Sequence, residues 1–319
     1  MRTPLLLPAL LIAGPLAVLG SVDRELLALV PAGTKSVAAI DVTDSQASPF
    51  GQHLLNRLNA TDDQFQELKR QTGFDPTHDL QDILFAGFGS EDSQKQGSFA
   101  VLARGIFDTS RIKAAAKANH STIRNYHDVE VVVNGAEDAH LTGLAFPSSD
   151  IAIFGDLPTV EAILDNGGAP PALDRRFEQE IERAGAKNNA WFVSHGGAAS
   201  FVNHLSMDTR EPVAQAKAFD SILLCSGGIR FGDSVEATFD AVTRSRQDAV
   251  SLADVVRFGA SMVQMERQKD SRAAILGSAL DKMNLQTSGE TVHLSFSLPE
   301  KDLEQLADSG ASQSGHGSH

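Results

Sequence analysis

Three features of this 319-residue sequence predict an α+β fold of two similar lobes, each an antiparallel sheet packed against helices. Short apolar or alternating runs recur in hairpin pairs, as in Ile83-Leu84-Phe85-Ala86 with Phe99-Ala100-Val101-Leu102. Between the pairs lie stretches whose apolar residues repeat at helical spacing. Midway, residues 166–173 (Asn-Gly-Gly-Ala-Pro-Pro-Ala-Leu) read as a linker, and beyond it the order of elements begins again.

Val37, Ile40 and Val42 read as the first strand. Ser48 caps a helix with Pro49 at its first position and Phe50, Leu54, Leu55 and Leu58 on one side. Thr61 and Gln64 have the spacing of a capping box for a second helix carrying Phe65 and Leu68, which Gly73 ends. A turn-rich stretch, Phe74 to Leu80, leads into the hairpin 83–102, whose polar loop spans Ser90 to Gln96. Asp108 or Thr109 then caps a helix with Ile112, Ala115 and Ala116 facing inward. Strands follow at Val129-Val131-Val133, Ala139 to Phe146 and Ile151 to Phe154. A short helix with Val160, Ile163 and Leu164 ends at Asn166-Gly167-Gly168.

The second half opens with a helix containing Phe177, Ile181 and Ala184, a strand at Ala190 to Val193 and a helical stretch from Ala198 to Leu205. In the hairpin Ser221–Phe231 and Ser234–Thr243, Val235, Ala237, Phe239 and Ala241 alternate with Ser234, Glu236, Thr238 and Asp240. That alternation implies a sheet with one wet face. Ser245 and Asp248 open a long helix toward Lys269, and a second helix carries Ala274, Ile275 and Leu280. In the last strand Val292, Leu294, Phe296 and Leu298 face one way and His293, Ser295 and Ser297 the other, before a helix begun by Pro299. The resulting organisation is a leader at 1–20, an N-terminal lobe at 21–165, the linker at 166–173, a C-terminal lobe at 174–308 and a disordered Gly/Ser-rich tail at 309–319.

Local similarities suggest an internal duplication. Phe50, His53 and Leu54 recur as Phe201, His204 and Leu205, and Asp82-Ile83-Leu84-Phe85 resembles Ser221-Ile222-Leu223-Leu224. Neither His53 nor His204 has an acidic or cysteine partner at ligand spacing, so both read as helix-surface histidines.

Met1 and Arg2, an apolar run from Leu5 to Leu19 and the small pair Gly20-Ser21 have the layout of a secretory signal peptide, with Val18 and Gly20 at the cleavage positions. The run carries Pro8, Gly14 and Pro15 and falls short of the roughly 20 apolar residues a spanning helix needs. The expectation is a soluble periplasmic or secreted protein; the alternative is an uncleaved segment tethering it to the inner membrane. Cys225, the single cysteine, lies in an apolar run, which indicates a buried thiol and no internal disulfide.

The formal charge is −14, and it becomes −15 without the leader, whose one charged residue is Arg2. With no basic cluster, that charge argues against nucleic acid and against anionic lipid headgroups. One Trp and one Tyr supply little platform for stacking on sugars.

No catalytic, cofactor or metal site is assembled by any motif. Gly87-Phe88-Gly89-Ser90 lacks the third glycine and the helix of a dinucleotide loop. A phosphate-binding loop, a nucleophile elbow and a His-Glu-x-x-His helix are all missing. Asp75, Asp79 and Asp82 with His78 form an acidic cluster suited to a hard cation, but turn bonding explains Asp75 and Asp79 equally simply. Ser194-His195-Gly196-Gly197 looks like part of a hydrolase, yet neighbours on a strand point to opposite faces, so a strand-to-helix turn is the better account. His120, His127 and His140 match no metal framework, and His316 and His319 lie in the tail. Met262 and Met265 read as core or helix-interface residues, and Arg104 with Asp108 as an ion pair at a strand end.

Several phrases are similar to those of a known group: Ala47-Ser48-Pro49-Phe50-Gly51, Thr72-Gly73-Phe74-Asp75-Pro76 with Asp79-Leu80, Leu102-Ala103-Arg104-Gly105-Ile106-Phe107-Asp108, Gly155-Asp156, and the closing Leu298-Pro299-Glu300. Together they resemble an uncharacterised family of exported acidobacterial-type proteins over nearly the whole mature chain. The resemblance implies export and architecture and brings no activity, ligand or catalytic residue. The functional expectation is an exported, non-enzymatic binding or interaction protein. Its alternatives are a periplasmic carrier of an apolar ligand held between sheet and long helices, and an enzyme with a dispersed site.

Overall fold

A computed structural model describes residues 23–53, 63–88, 98–135, 141–167, 173–196, 218–232, 234–267 and 271–305. The leader 1–20, the core of the linker, the tail from Ser309, His140, His204, His316, His319 and the predicted helix at 198–205 therefore lie outside the described residues.

The chain begins with α1 (Arg24–Ala28), β1 (Ser36–Asp41), α2 (Val42–Ala47), α3 (Asp63–Thr72), α4 (Pro76–Asp79), β2 (Leu80–Phe88) and β3 (Ser98–Gly105). Next are α5 (Thr109–Ala118), β4 (Thr122–Tyr126), β5 (Val129–Asn134), β6 (Thr142–Ala145), β7 (Ile151–Asp156) and α6 (Leu157–Asn166). The second half supplies α7 (Arg175–Gly185), β8 (Ala190–His195), β9 (Ile222–Arg230), β10 (Val235–Thr243), α8 (Arg246–Glu266), α9 (Ser271–Leu280), β11 (Asn284–Ser288) and β12 (Thr291–Leu298).

The fold is α+β with an antiparallel sheet, as the alternation predicts. The two halves do not keep separate sheets: β1 pairs with β8, giving one sheet of twelve strands in the order β11-β12-β10-β9-β8-β1-β2-β3-β7-β6-β5-β4. From the junction outward the N-terminal half runs β1, β2, β3, β7, β6 and the C-terminal half β8, β9, β10, β12, β11, with β5 and β4 added on the N-terminal side.

Helices cover both faces. Against the first face, α1, α6 and α7 bury Leu26, Leu157, Val160, Ile163, Phe177 and Ile181 on Val37, Leu84, Leu102, Ile153, Trp191 and Val193. Over the N-terminal half of the second face, α5 places Ile112 and Ala116 against Ala103, Val132 and Leu144, with Leu68 of α3 beside them. Over its C-terminal half, α8 places Ala249, Leu252 and Ala253 against Cys225, Ala241 and Val292.

Strand register runs a single apolar row across the second face: Ile123, Val132, Leu144, Phe154, Val101, Phe85, Ala38, Phe192, Gly227, Phe239, Leu294 and Leu285. Successive cross-strand neighbours of this kind are the unit of sheet stabilisation. Phe154 belongs to the cluster under α5, and Phe192 and Phe239 to the cluster under α8. Phe85 and Phe99, whose rings stack at 6.1 Å, belong to neither and remain partly exposed.

Several local expectations are corrected. Val42 does not continue the first strand: the Asp41 carboxylate accepts the Asp44 N–H 2.7 Å away and starts α2 there. The similarity of 82–85 to 221–224 is not a structural equivalence. It sets Phe85, on the second face, against Leu224, on the first, and such a one-residue slip reverses every side chain. Met262 and Met265 are neither core nor a helix interface among the described residues, being 47 % and 70 % exposed on the outer side of α8 with Phe258.

Candidate functional site

The wet face implied by the alternation of β10 and β12 is the first face of the C-terminal half. Ser226, Asp240, His293 and Gln286 lie side by side across β9, β10, β12 and β11. The apolar stripe Phe177, Ile181 and Ala184 holds α7 down over β8 and β9, so the polar side of its last turns overhangs these residues. Gly228 makes the close approach feasible. A Cβ at Gly228 would lie 2.2 Å from Asn188 Cγ, in the turn after α7. The result is a recess of about 110 Å³ lined by Arg183, Lys187, Asn188, Ser226, Thr238, Asp240 and His293, among others.

One chain of hydrogen bonds organises it. Ser226 Oγ donates to Glu180 Oε2 at 3.2 Å, and Arg183 donates to the same oxygen through Nη2 at 2.7 Å and Nε at 3.0 Å. Arg183 Nη2 also reaches Asp240 Oδ2 at 3.0 Å, while Asp240 Oδ1 lies 2.7 Å from His293 Nδ1. With that carboxylate oxygen as acceptor, the proton of a neutral His293 is held on Nδ1, leaving Nε2 as an acceptor. The Lys187 ammonium has no hydrogen-bonding or ionic partner among the described residues, while its backbone N–H donates to Ala184 O. The His293–Asp240 pair is not a hydrolase dyad waiting for Ser226. That hydroxyl sits two strands from His293, about 10 Å at ordinary strand spacing, beyond the reach of proton transfer.

A second polar cluster lies on the first face on the N-terminal side of the junction. Arg104, whose side chain is 16 % exposed, donates from Nε to Asp23 Oδ2, from Nη2 to Glu25 and from Nη1 to Asp150, each at 2.5 Å. It does not pair with Asp108, which instead accepts the Arg111 N–H and caps α5. Asp82 stands between Arg104 and Asp41 in strand register, away from Asp75, Asp79 and His78. Burial first, then the neighbouring charges of Asp41 and Asp23, push the Asp82 carboxyl up to about 6. Burial also raises Asp41, whereas in Asp23 the opposing effect of burial is outweighed by the Arg104 and backbone hydrogen bonds, which hold it low.

Asp82 therefore retains a proton in the folded protein through a range where the unfolded chain has lost it. Its contribution to stability is complete below pH 3.8 and disappears as pH rises through about 6. Asp82→Asn is expected to stabilise the protein by about 1–2 kcal/mol at pH 7.5, allowing for solvent around a half-buried group, and to change little at pH 4. Urea unfolding at the two pH values measures this; equal effects at both would contradict it.

The remaining candidates separate. Asp75 accepts from the Thr77 N–H and hydroxyl, and Asp79 Oδ2 accepts the Asp75 N–H, so these acids shape α4 and its entry. Ser194 and His195 point to opposite faces of β8. His195 stacks on Phe177 at 4.5 Å, and burial lowers its pKa. His120 and His127 flank β4, with His127 Nε2 2.9 Å from Asp165. Cys225 is 1 % exposed and burial pushes its thiol up to about 11, which makes it a poor nucleophile. Among the described residues no three His, Cys, Asp or Glu side chains are grouped to hold a metal ion, and no helix is long and apolar enough to cross a membrane.

Sequence patterning had placed Asp240 and His293 on a wet face but did not single out Arg183, Lys187, Asn188 or Ser226. The available signals were Gly228 inside a strand and the Arg183/Lys187 pair four residues apart at and just beyond the end of the apolar stripe of α7. No protein-family model, no curated protein and no solved structure matches this chain.

Proposed function

We propose that this is an exported, non-enzymatic binding protein whose ligand site is the recess beneath the end of α7. The observation that carries the reading is the continuous chain Ser226–Glu180–Arg183–Asp240–His293, which fixes the recess before any ligand arrives. Preorganisation of this kind lowers the ordering cost of binding. The recess borders a sheet face rich in Ser, Thr, Asn and Gln, which suits a small polar ligand. Protein recovered from the periplasm of an expression host, with its amino terminus at Ser21, is expected to retain a small polar molecule in native mass spectrometry. Turnover of a substrate abolished by one polar substitution would overturn the reading.

A carrier of an apolar ligand is the second reading, favoured by Phe85 and Phe99, which lie partly exposed between the clusters under α5 and α8. Its signature is a copurified lipid or other apolar molecule in the same spectra. Internal duplication belongs with these proposals. The outward strand order common to both halves supports it, as does the placement of α1 and α7 on the first face and of α5 and α8 on the second.

A further inference from the structure

Apart from the recess, and without resting on it, we infer that Asn134 is a site of spontaneous modification to aspartate and isoaspartate, while the fold shields Asn166 from the same reaction. The sequence holds two Asn-Gly pairs, at 134–135 and 166–167. In each, the glycine nitrogen can attack Cγ of the asparagine unhindered by a Cβ. An N–Cγ bond forms, the Cγ–Nδ2 bond breaks, and the amide nitrogen leaves as ammonia with the proton of the glycine N–H. Water then opens the cyclic imide. Breaking the new N–Cγ bond leaves aspartate; breaking the original peptide bond leaves isoaspartate, with the main chain routed through Cγ.

Geometry separates the two pairs. Asn134 ends β5, and its Oδ1 accepts the Gly135 N–H at 3.1 Å, so the attacking nitrogen already lies beside the carbonyl group it must reach. Separations of this order belong to near-attack arrangements. Gly135 is exposed, and among the described residues neither its N–H nor Asn134 Nδ2 has another partner to hold it back. At the second pair both reacting groups are engaged elsewhere. The Gly167 N–H donates to Leu164 O at 3.2 Å and closes α6, and Asn166 Nδ2 donates to Ala28 O at 3.5 Å. Val160 and Ile163 of the same helix are fully buried, so freeing the Gly167 nitrogen means opening the end of a packed element. Reaction at Asn134 also has a structural consequence. Asn134, Thr142 and Asp156 stand side by side on β5, β6 and β7. The product puts a new negative charge in the row of the buried Asp156, and isoaspartate adds a carbon to the main chain at the last rung between β5 and β6.

Timed incubation of the purified protein, brief digestion after glutamate and mass spectrometry test the assignment, because that cleavage puts Asn134 on the fragment 131–137 and Asn166 on 162–178. In the folded protein at pH 7.5, Asn134 is expected to lose ammonia at least about tenfold faster than Asn166. In guanidinium chloride, where neither pair is held, the rates should agree to within about threefold. The fragment 131–137 is expected to become a substrate for an isoaspartyl methyltransferase, and the reaction to run faster at pH 8 than at pH 6, since the attacking nitrogen must lose its proton. Asn134→Ser, which has no amide to lose, should abolish the acidic species that accumulates on ion-exchange chromatography. Equal rates at the two sites in the folded protein, or faster reaction at Asn166, overturn the assignment. A tenfold difference that persists unchanged in guanidinium chloride overturns the protection of Asn166 by the fold, because the neighbouring sequence alone would then account for it.

Discussion

Replacing Phe177 by alanine is expected to destabilise the protein by about 4 kcal/mol and lower its melting temperature by roughly 10 °C. The ring is fully buried in the first-face core, and it stacks on His195 at the end of β8. Deleting it removes apolar contacts and leaves a cavity beside Trp191 and Val193 that the rigid sheet cannot collapse to fill. The effect reaches further than stability. Glu180 and Arg183 ride on the same helix and Lys187 follows in the turn after it, so loosening its apolar face frees the polar face that overhangs the recess. Urea unfolding measures the first consequence, and loss of the polar molecule expected in native mass spectra of the wild type measures the second. A loss below about 1 kcal/mol would show that α7 is not anchored by this stripe.

Arg104→Met is expected to cost about 3 kcal/mol at pH 7.5, the scale of removing one partner from a buried ionic cluster. Arg104 is the cation shared by Asp23, Glu25 and Asp150, and it also offsets the charge of Asp82. Without it, Asp23 and Asp82 face Asp41 with no compensating charge. The loss should shrink at pH 5, below the Asp82 value of about 6, because one member of the cluster is then neutral. Arg104→Lys should recover only part of the loss, since an ammonium cannot span three carboxylates as a guanidinium does. Combining Arg104→Met with Asp82→Asn should give less than the sum of the two expected penalties and gains, the mark of direct coupling. Chemical unfolding of the wild type and the four variants at pH 5 and 7.5 checks all of this, and a pH-independent loss would remove the electrostatic explanation.

How far the fold could be read from sequence depended on how much each element buries. β10 and β12 were legible because one side of each is apolar and the other polar, so period two is plain. The strands β4 (Thr-Ile-Arg-Asn-Tyr) and β11 (Asn-Leu-Gln-Thr-Ser) went unread. They form the two edges of the sheet, where little is buried and polar residues discourage pairing with other chains. The short helix α2 hid because Val42 prolongs the apolar pattern of β1, while its start depends on one Asp41 hydrogen bond. Merging of two sheets into one was equally invisible, since β1 and β8 carry nothing in their sequences that names each other as partners. The recess was unread for a related reason: α7, β9, β10 and β12 each contribute one or two ordinary polar residues, and only packing brings them together.

The seam between β1 and β8 has a consequence for the order of assembly. Ala38 and its partner Phe192 stand about 150 residues apart in the chain, so closing the seam carries one of the larger loop-closure costs in the molecule. Hairpins such as β2–β3 and β9–β10 can form locally and early, whereas the strand pair at the centre of the finished sheet must wait for both halves. Until then β1 and β8 each present a row of open N–H and C=O groups, which a strand of another molecule would satisfy equally well. The contact that makes twelve strands into one sheet is thus also where correct folding competes most directly with domain exchange and aggregation.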